Sequence, residues 1–138
     1  MTIGSGMWAG MDASGSGLAA ERLRLDVVAN NIANIDTTNT TGQPGGAAYR
    51  REVVYFQQAA GEQGVVVAGI GTDPSPLPVK YDPSSPDANA QGMVQMPNVN
   101  LTSEMVDMLA AARAYEANVT AFDDGKQMAT DALKLGQV

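Results

Sequence analysis

Asn30, Asn31 and Asn34 put three side-chain amides within five residues of a mainly apolar stretch, Val28-Ala29-Asn30-Asn31-Ile32-Ala33-Asn34-Ile35-Asp36. Each amide offers two donors and an oxygen with two lone pairs. Within a helical stripe such groups can satisfy backbone atoms or a neighbouring chain at a subunit contact, and so specify register. Near a helix C-terminus they can equally begin its termination. Residue chemistry alone leaves both roles open.

Catalysis has little to draw on. The chain has no histidine and no cysteine, so the usual ligands of zinc and copper and the commonest general base near neutral pH are missing together. Disulfides and thiolate chemistry are excluded as well. Asp73, Asp82 and Asp87 lie in proline-rich loops and have the oxygens calcium prefers, but loop aspartates are far more often turn formers. Asp123 and Asp124 have no partner acid, base or nucleophile placed by spacing, and read as a solvated helix face. Gly69-Ile70-Gly71 lacks the later glycine and lysine of a phosphate loop. Met105, Met108 and Met128 sit on or beside an apolar stripe and read as adaptable packing. No catalytic, cofactor-binding or metal-binding residue and no cofactor is expected, and the chain is not read as an enzyme.

The elements that must position the asparagines emerge from periodicity. Met11, Leu18, Leu25 and Ile32 are seven residues apart, and Val28 and Ile35 add a line three residues further on. This is the a/d spacing of a coiled-coil seam. Gly15 and Gly17 interrupt its early part at a cost of roughly 1 kcal/mol each, so helicity before Leu18 should depend on a partner. Asp36 to Gly42 then ends the helix with residues that hydrogen-bond their own backbone.

The second helix is more regular. Leu101, Met108, Tyr115, Phe122 and Ala129 form one heptad series, and Met105, Ala112, Val119, Lys126 and Leu133 the other. Thr102 or Ser103, with Asn100 as an alternative, can cap its start, and Glu104 and Asp107 suit the helix dipole in the first turn. Lys134 and Gly136 suit its end. Between the helices, Tyr49 to Gln57 and Gly64 to Ile70 read as two strands around a turn at Ala59 to Gln63. Prolines 74, 76, 78, 83 and 86 keep the following segment extended, with short pairings around Pro78 to Tyr81 and Met93 to Met96. The predicted organisation is mainly α: an N-terminal helix with its asparagine and threonine signature (1–41), a β-hairpin with a loop-rich middle (42–98), and a C-terminal helix (99–138). The middle is too small to cover two long stripes, so the ends should pair with each other as a coiled coil and then with other subunits.

Charge narrows the partners. The formal net charge is −7, from 15 acidic and 8 basic residues, and no basic patch offers itself to nucleic acid. Met1 to Gly10 lacks the charged and apolar regions of a cleaved signal peptide, and no stretch approaches the ~20 apolar residues of a membrane span. These rules alone suggest a soluble, cytoplasmic protein.

The run LDVVANNIANIDTTNT at Leu25 to Thr40 resembles the N-terminal signature of the rod, hook and hook-junction proteins of the bacterial flagellum. Within that family, MDASGSGLAAERLRLDV at Met11 to Val27, VKYDPSSPDANAQGMVQMPNVN at Val79 to Asn100 and the segment from Glu104 to Gly136 resemble the proximal rod. Ser85 stands where the family usually has histidine, and Gly125 interrupts a stretch that relatives keep more regular. The resemblance implies a structural subunit of the basal-body rod that transmits torque between motor and hook for motility. It implies contacts with copies of itself, with other rod proteins and, in transit, with the flagellar type III export apparatus. The location it implies is the basal body, in the periplasm or cell-wall space, reached without signal-peptide cleavage. The interface residues expected are Leu18, Leu25, Asn30, Asn31, Ile32, Asn34 and Ile35 at one end, and Met105, Met108, Ala112, Tyr115, Val119 and Phe122 at the other. The alternatives are another rod or hook-type axial protein, or a cell-wall hydrolase, for which the middle segment shows no place for paired carboxylates.

Overall fold

A computed structural model describes residues 3–60 and 64–136 of the chain. The elements in order are α1 (Ile3–Ala33), β1 (Glu52–Gln58), β2 (Val65–Thr72), β3 (Val79–Tyr81), β4 (Met93–Gln95) and α2 (Leu101–Leu135). The fold is mainly helical, as the heptad spacing predicts. Strands β1 and β2 form one two-stranded sheet, and β3 and β4 another. Part of the predicted turn, residues 61–63, lies outside the described residues.

The chain divides into two compact units, one of Met1–Leu25, Val54–Gly69 and Leu109–Val138, the other of Asp26–Val53 and Ile70–Met108. In the first unit α1 and α2 lie side by side. A Cβ on Gly17 would sit 2.9 Å from the Asn118 amide nitrogen, and one on Gly125 would sit 2.8 Å from Met11 Cγ. As α1 steps back from Gly17 to Met11, α2 steps forward from Asn118 to Gly125, so the helices run antiparallel. Met11, Ala20, Ala111 and Gly125 are buried there. Ser16 Oγ, donating to the Ala13 carbonyl, accepts the Val65 N–H at 3.0 Å and ties the start of β2 to α1.

Helix α1 runs unbroken through Gly15 and Gly17. The predicted cost at Gly17 has a use, because only a residue without a side chain lets Asn118 approach so closely. Gly15 has no such neighbour.

In the second unit Val27, Val28, Ala48, Val94 and Pro97 are buried together with two polar residues, Asn31 and Glu104. Strands β3 and β4 pair antiparallel, with Val79 opposite Gln95 and Tyr81 opposite Met93. Beyond the ladder, the Met96 N–H reaches the Pro78 carbonyl at 2.8 Å and the Asp82 N–H reaches Gly92 at 2.9 Å. Of the three caps the sequence offers, Asn100 is the one in use. Its Oδ1 accepts the Ser103 N–H at 3.1 Å, as an N-cap should.

Candidate functional site

The three asparagines divide the two roles between them. Asn34 is the helix terminator. Its amide nitrogen donates to the Asn30 carbonyl at 2.9 Å, and its oxygen accepts the Thr37 hydroxyl at 3.1 Å. Its backbone N–H is shared between the carbonyls of Asn30 and Asn31, and Ile35 then bonds back to Ile32. This tightening is typical of a last helical turn. Asn30 is exposed.

Asn31 does the opposite and reaches across the fold. It is completely buried. Its Nδ2 donates to the Glu52 carbonyl at 2.9 Å and to Glu104 Oε2 at 3.1 Å. Its Oδ1 accepts the Glu52 N–H at 2.8 Å and the Tyr49 hydroxyl at 2.9 Å. Every hydrogen-bonding position of the amide is therefore filled. Toward Glu52 the side chain behaves as a neighbouring strand would, giving and taking one bond with the same residue.

Glu104 completes the clasp. It too is fully buried, and Arg51 Nε donates to its Oε1 while Arg51 Nη2 donates to Asp107 Oδ2 at 2.9 Å. Asp73 Oδ2 lies 4.0 Å from Arg51 Nη1. A buried carboxylate is tolerable only when paired and hydrogen-bonded, and here each oxygen has its own donor. The hydrogen bond to Glu104 raises the Arg51 pKa above its ordinary value, the charges of Glu104, Asp107 and Asp73 add to it, and burial opposes. Burial pushes the Tyr49 phenol up, with the charges of Glu52 and Glu104 adding to the effect. Asn98 Oδ1 accepts the Arg51 N–H at 2.8 Å and holds the strand start from another side. The helix-dipole role read for Glu104 in the sequence is thus overtaken by a buried ion pair.

A second tie joins the threonine run to the proline-rich loop. Asp87 accepts the Thr38 hydroxyl at 2.6 Å and the Asn39 amide at 2.9 Å, and these bonds hold its pKa below the usual carboxylate range. Asp73 and Asp82 accept the N–H groups of Ser75 at 2.8 Å and Ser84 at 3.2 Å, the turn-forming role expected of loop aspartates. Among the described residues no group of three or more histidine, cysteine or acidic side chains could hold a metal ion.

The predicted interface residues fall in different places. Leu18, Leu25 and Ile32 are half-buried along α1 and Ile35 in the turn just after it, and Met108, Ala112 and Tyr115 are half-buried on α2. Met105, Val119 and Phe122 are 59%, 36% and 37% exposed. The inward line of α2 is instead Glu104, Ala111, Asn118 and Gly125, also at heptad spacing but one residue earlier than the series from Met105 to Lys126. Leu101, Val106 and Leu109 join Met105 on the outside. The roles of Arg51 and Asn98 escaped the sequence reading, as did the bonds of Tyr49, read only as a strand residue, and of Asp87, read only as a turn former. The available signal was the pair Arg50-Arg51 heading a valine-rich strand, where charge needs a partner.

Similarity to known proteins covers nearly the whole chain. The family model described as "Flagella basal body rod protein" matches residues 11–41, which contain the asparagine group. That described as "Flagellar basal body rod FlgEFG protein C-terminal" matches residues 90–135. The flagellar basal-body rod protein FlgC of Borreliella burgdorferi is 41% identical, over 96% of this chain and 99% of its own. FlgC of Bacillus subtilis is 42% identical over 92% and 96%, and that of Yersinia enterocolitica 45% over 91% and 95%.

Proposed function

The chain belongs to the FlgC family of flagellar basal-body rod proteins and is a structural subunit of the flagellar rod, and from that premise we propose that it passes torque through repeated contacts made by the outward faces of α1 and α2. The observation that carries this reading is full-length similarity at 41–45% identity to three rod proteins of one name. The exposed apolar side chains on α2 support the assignment of contacts, since apolar groups left in water on a subunit gain most by association.

In this reading the two helices continue as a coiled coil within the assembled rod. Leu18, Leu25, Ile32 and Ile35 and the outward residues Met105, Val119 and Phe122 meet copies of the chain or other rod proteins. Asn31 holds the subunit itself together rather than a neighbour. Repetition by a helical rather than a closed operation lets one fold build a tube. The subunit acts mechanically and not as an enzyme, and is located in the basal body, in the periplasmic or cell-wall space. It travels there through the flagellar export apparatus without signal cleavage. No described helix is long and apolar enough to cross a membrane.

The test is complementation. In a flagellated strain lacking its own copy, the unaltered gene should restore rods and swimming, whereas Met105→Asp or Phe122→Asp, at side chains exposed on the subunit, should fail to do so. Intact rods and normal motility with both variants would overturn the interface assignment.

A further inference from the structure

Strands β3 and β4 differ in how their outer edges are closed. The Met96 N–H bonds the Pro78 carbonyl and the Asp82 N–H bonds that of Gly92, while Lys80 lies opposite Val94. Bonded and unbonded pairs alternate along an antiparallel ladder. Lys80 therefore turns its main-chain groups to β4, and Val79 and Tyr81 turn theirs away. On β4 the outward residue Met93 is already closed off: its N–H donates to Asn89 Oδ1 at 3.0 Å and its carbonyl accepts the Asn89 N–H at 2.9 Å. Val79 and Tyr81 have no such cover. Among the described residues no hydrogen bond reaches their main-chain groups, and all three residues of β3 are exposed. The side chains of Val79 and Tyr81 share one face, and the two residues are 54% and 67% exposed.

A row of unpaired N–H and C=O groups is a template for another strand. We infer that the outer edge of β3 is a docking site for an extended segment of a second copy of this chain, with an acidic side chain opposite Lys80. Donors and acceptors alternating along an extended backbone fit another extended backbone. Pro83, next in the outward series, has no N–H to offer and ends the site. Lys80 decides which segment enters. Laid antiparallel on its own counterpart, β3 would set two Lys80 ammoniums opposite one another, a destabilising pair. Among the described residues Lys80 makes no ion pair, and Asp82, its neighbour on the same face, is held by the Ser84 N–H at 3.2 Å and hydroxyl at 2.7 Å. A copy with a formal charge of −7 supplies acidic side chains in excess. Lys80 thus bars self-pairing of β3 and admits an acidic strand.

The site rests on the reading of the chain as a rod subunit, so its test uses basal bodies isolated from a strain complemented with the unaltered gene. A zero-length carbodiimide, which couples an amine to a carboxylate in contact with it, should join two copies of the chain through Lys80. Lys80→Arg should assemble normally and give no such product. The outward N–H groups can also be removed without touching the ladder to β4, because proline is tolerated where its missing N–H faces away. Val79→Pro and Tyr81→Pro should keep the circular dichroism and urea midpoint of the isolated chain, yet cut the number of rods roughly tenfold by denying the incoming strand its donors. Val79→Thr keeps the N–H and should assemble normally. If a proline variant lowers the midpoint, the cross-link in the parent chain decides alone. Normal rods from both proline variants, or Lys80 joined to another rod protein or to nothing, would overturn the site. With Met105→Asp still unable to build rods, either result leaves the proposed function standing, so the two failures are distinct.

Discussion

A buried amide whose donors and lone pairs are all engaged has few substitutes. Asn31→Ala strands the part-buried Glu52 backbone groups and Tyr49 hydroxyl and one buried oxygen of Glu104, each with a desolvation cost. The expected loss is on the order of 3 kcal/mol, read as a fall in the urea-unfolding midpoint. Asn31→Asp keeps the size but replaces two donors with a charge beside Glu104, and should lose at least as much. Asn34→Ala removes two helix-end bonds, the one to the Asn30 carbonyl and the one from the Thr37 hydroxyl, and should cost about 1 kcal/mol. The spacing of the asparagines is legible in the sequence, and so is the termination role of Asn34. Which of them turns inward is not, because that depends on Glu52 and Glu104, 21 and 73 residues away. No local rule links positions so far apart.

The phenol of Tyr49 adds a pH dependence. Its folded-state pKa is raised, first by burial and then by the charges of Glu52 and Glu104, so the protonated form is the one the fold favours. A group raised in this way stabilises the fold fully below its unfolded value of about 10 and loses that contribution as pH climbs through the folded value. The deprotonated oxygen could no longer donate to Asn31 Oδ1 and would bring negative charge toward Glu104. Stability measured against pH should therefore fall above about pH 10, and Tyr49→Phe should flatten that alkaline limb while lowering stability at neutral pH. An alkaline limb unchanged in Tyr49→Phe would assign the loss to other groups.

At the scale of elements, the glycines in α1 and α2 are not equivalent. Gly15 has open space where a Cβ would go, whereas Gly125 is buried with Met11 against it. Gly15→Ala should stabilise by about 0.5–1 kcal/mol, the helix propensity difference. Gly125→Leu should destabilise by roughly 1–3 kcal/mol, because overpacking forces the helices apart. Thermal unfolding followed at 222 nm separates the two, and a stabilised Gly125→Leu chain would mean that Met11 can withdraw without loss. In the sequence both residues read alike, as interruptions of a helix. The heptad period is equally legible and gives the presence and type of both helices. It does not give the phase, since Met105, Ala112 and Val119 form a better apolar line than Glu104, Ala111 and Asn118, and the bonds that bury Glu104 come from Asn31 and Arg51, far away in the chain.

For the molecule as a whole, the outward apolar residues must gather copies that each carry a formal charge of −7. Like charge opposes association at low ionic strength and is screened as salt rises, so apolar contact has to supply the attraction. Met105 and Phe122 are the informative positions, because both are exposed in the subunit and neither belongs to the clasp. Replacing both with lysine moves the formal charge from −7 to −5, which on electrostatic grounds alone would favour association. If burial of these side chains drives assembly, the outcome is the reverse. Met105→Lys with Phe122→Lys should leave the urea midpoint of the isolated chain within about 0.5 kcal/mol of the parent, yet yield few rods in isolated basal bodies and no swimming. Rods in normal number would show that charge, rather than the apolar line of α2, governs how the subunits meet.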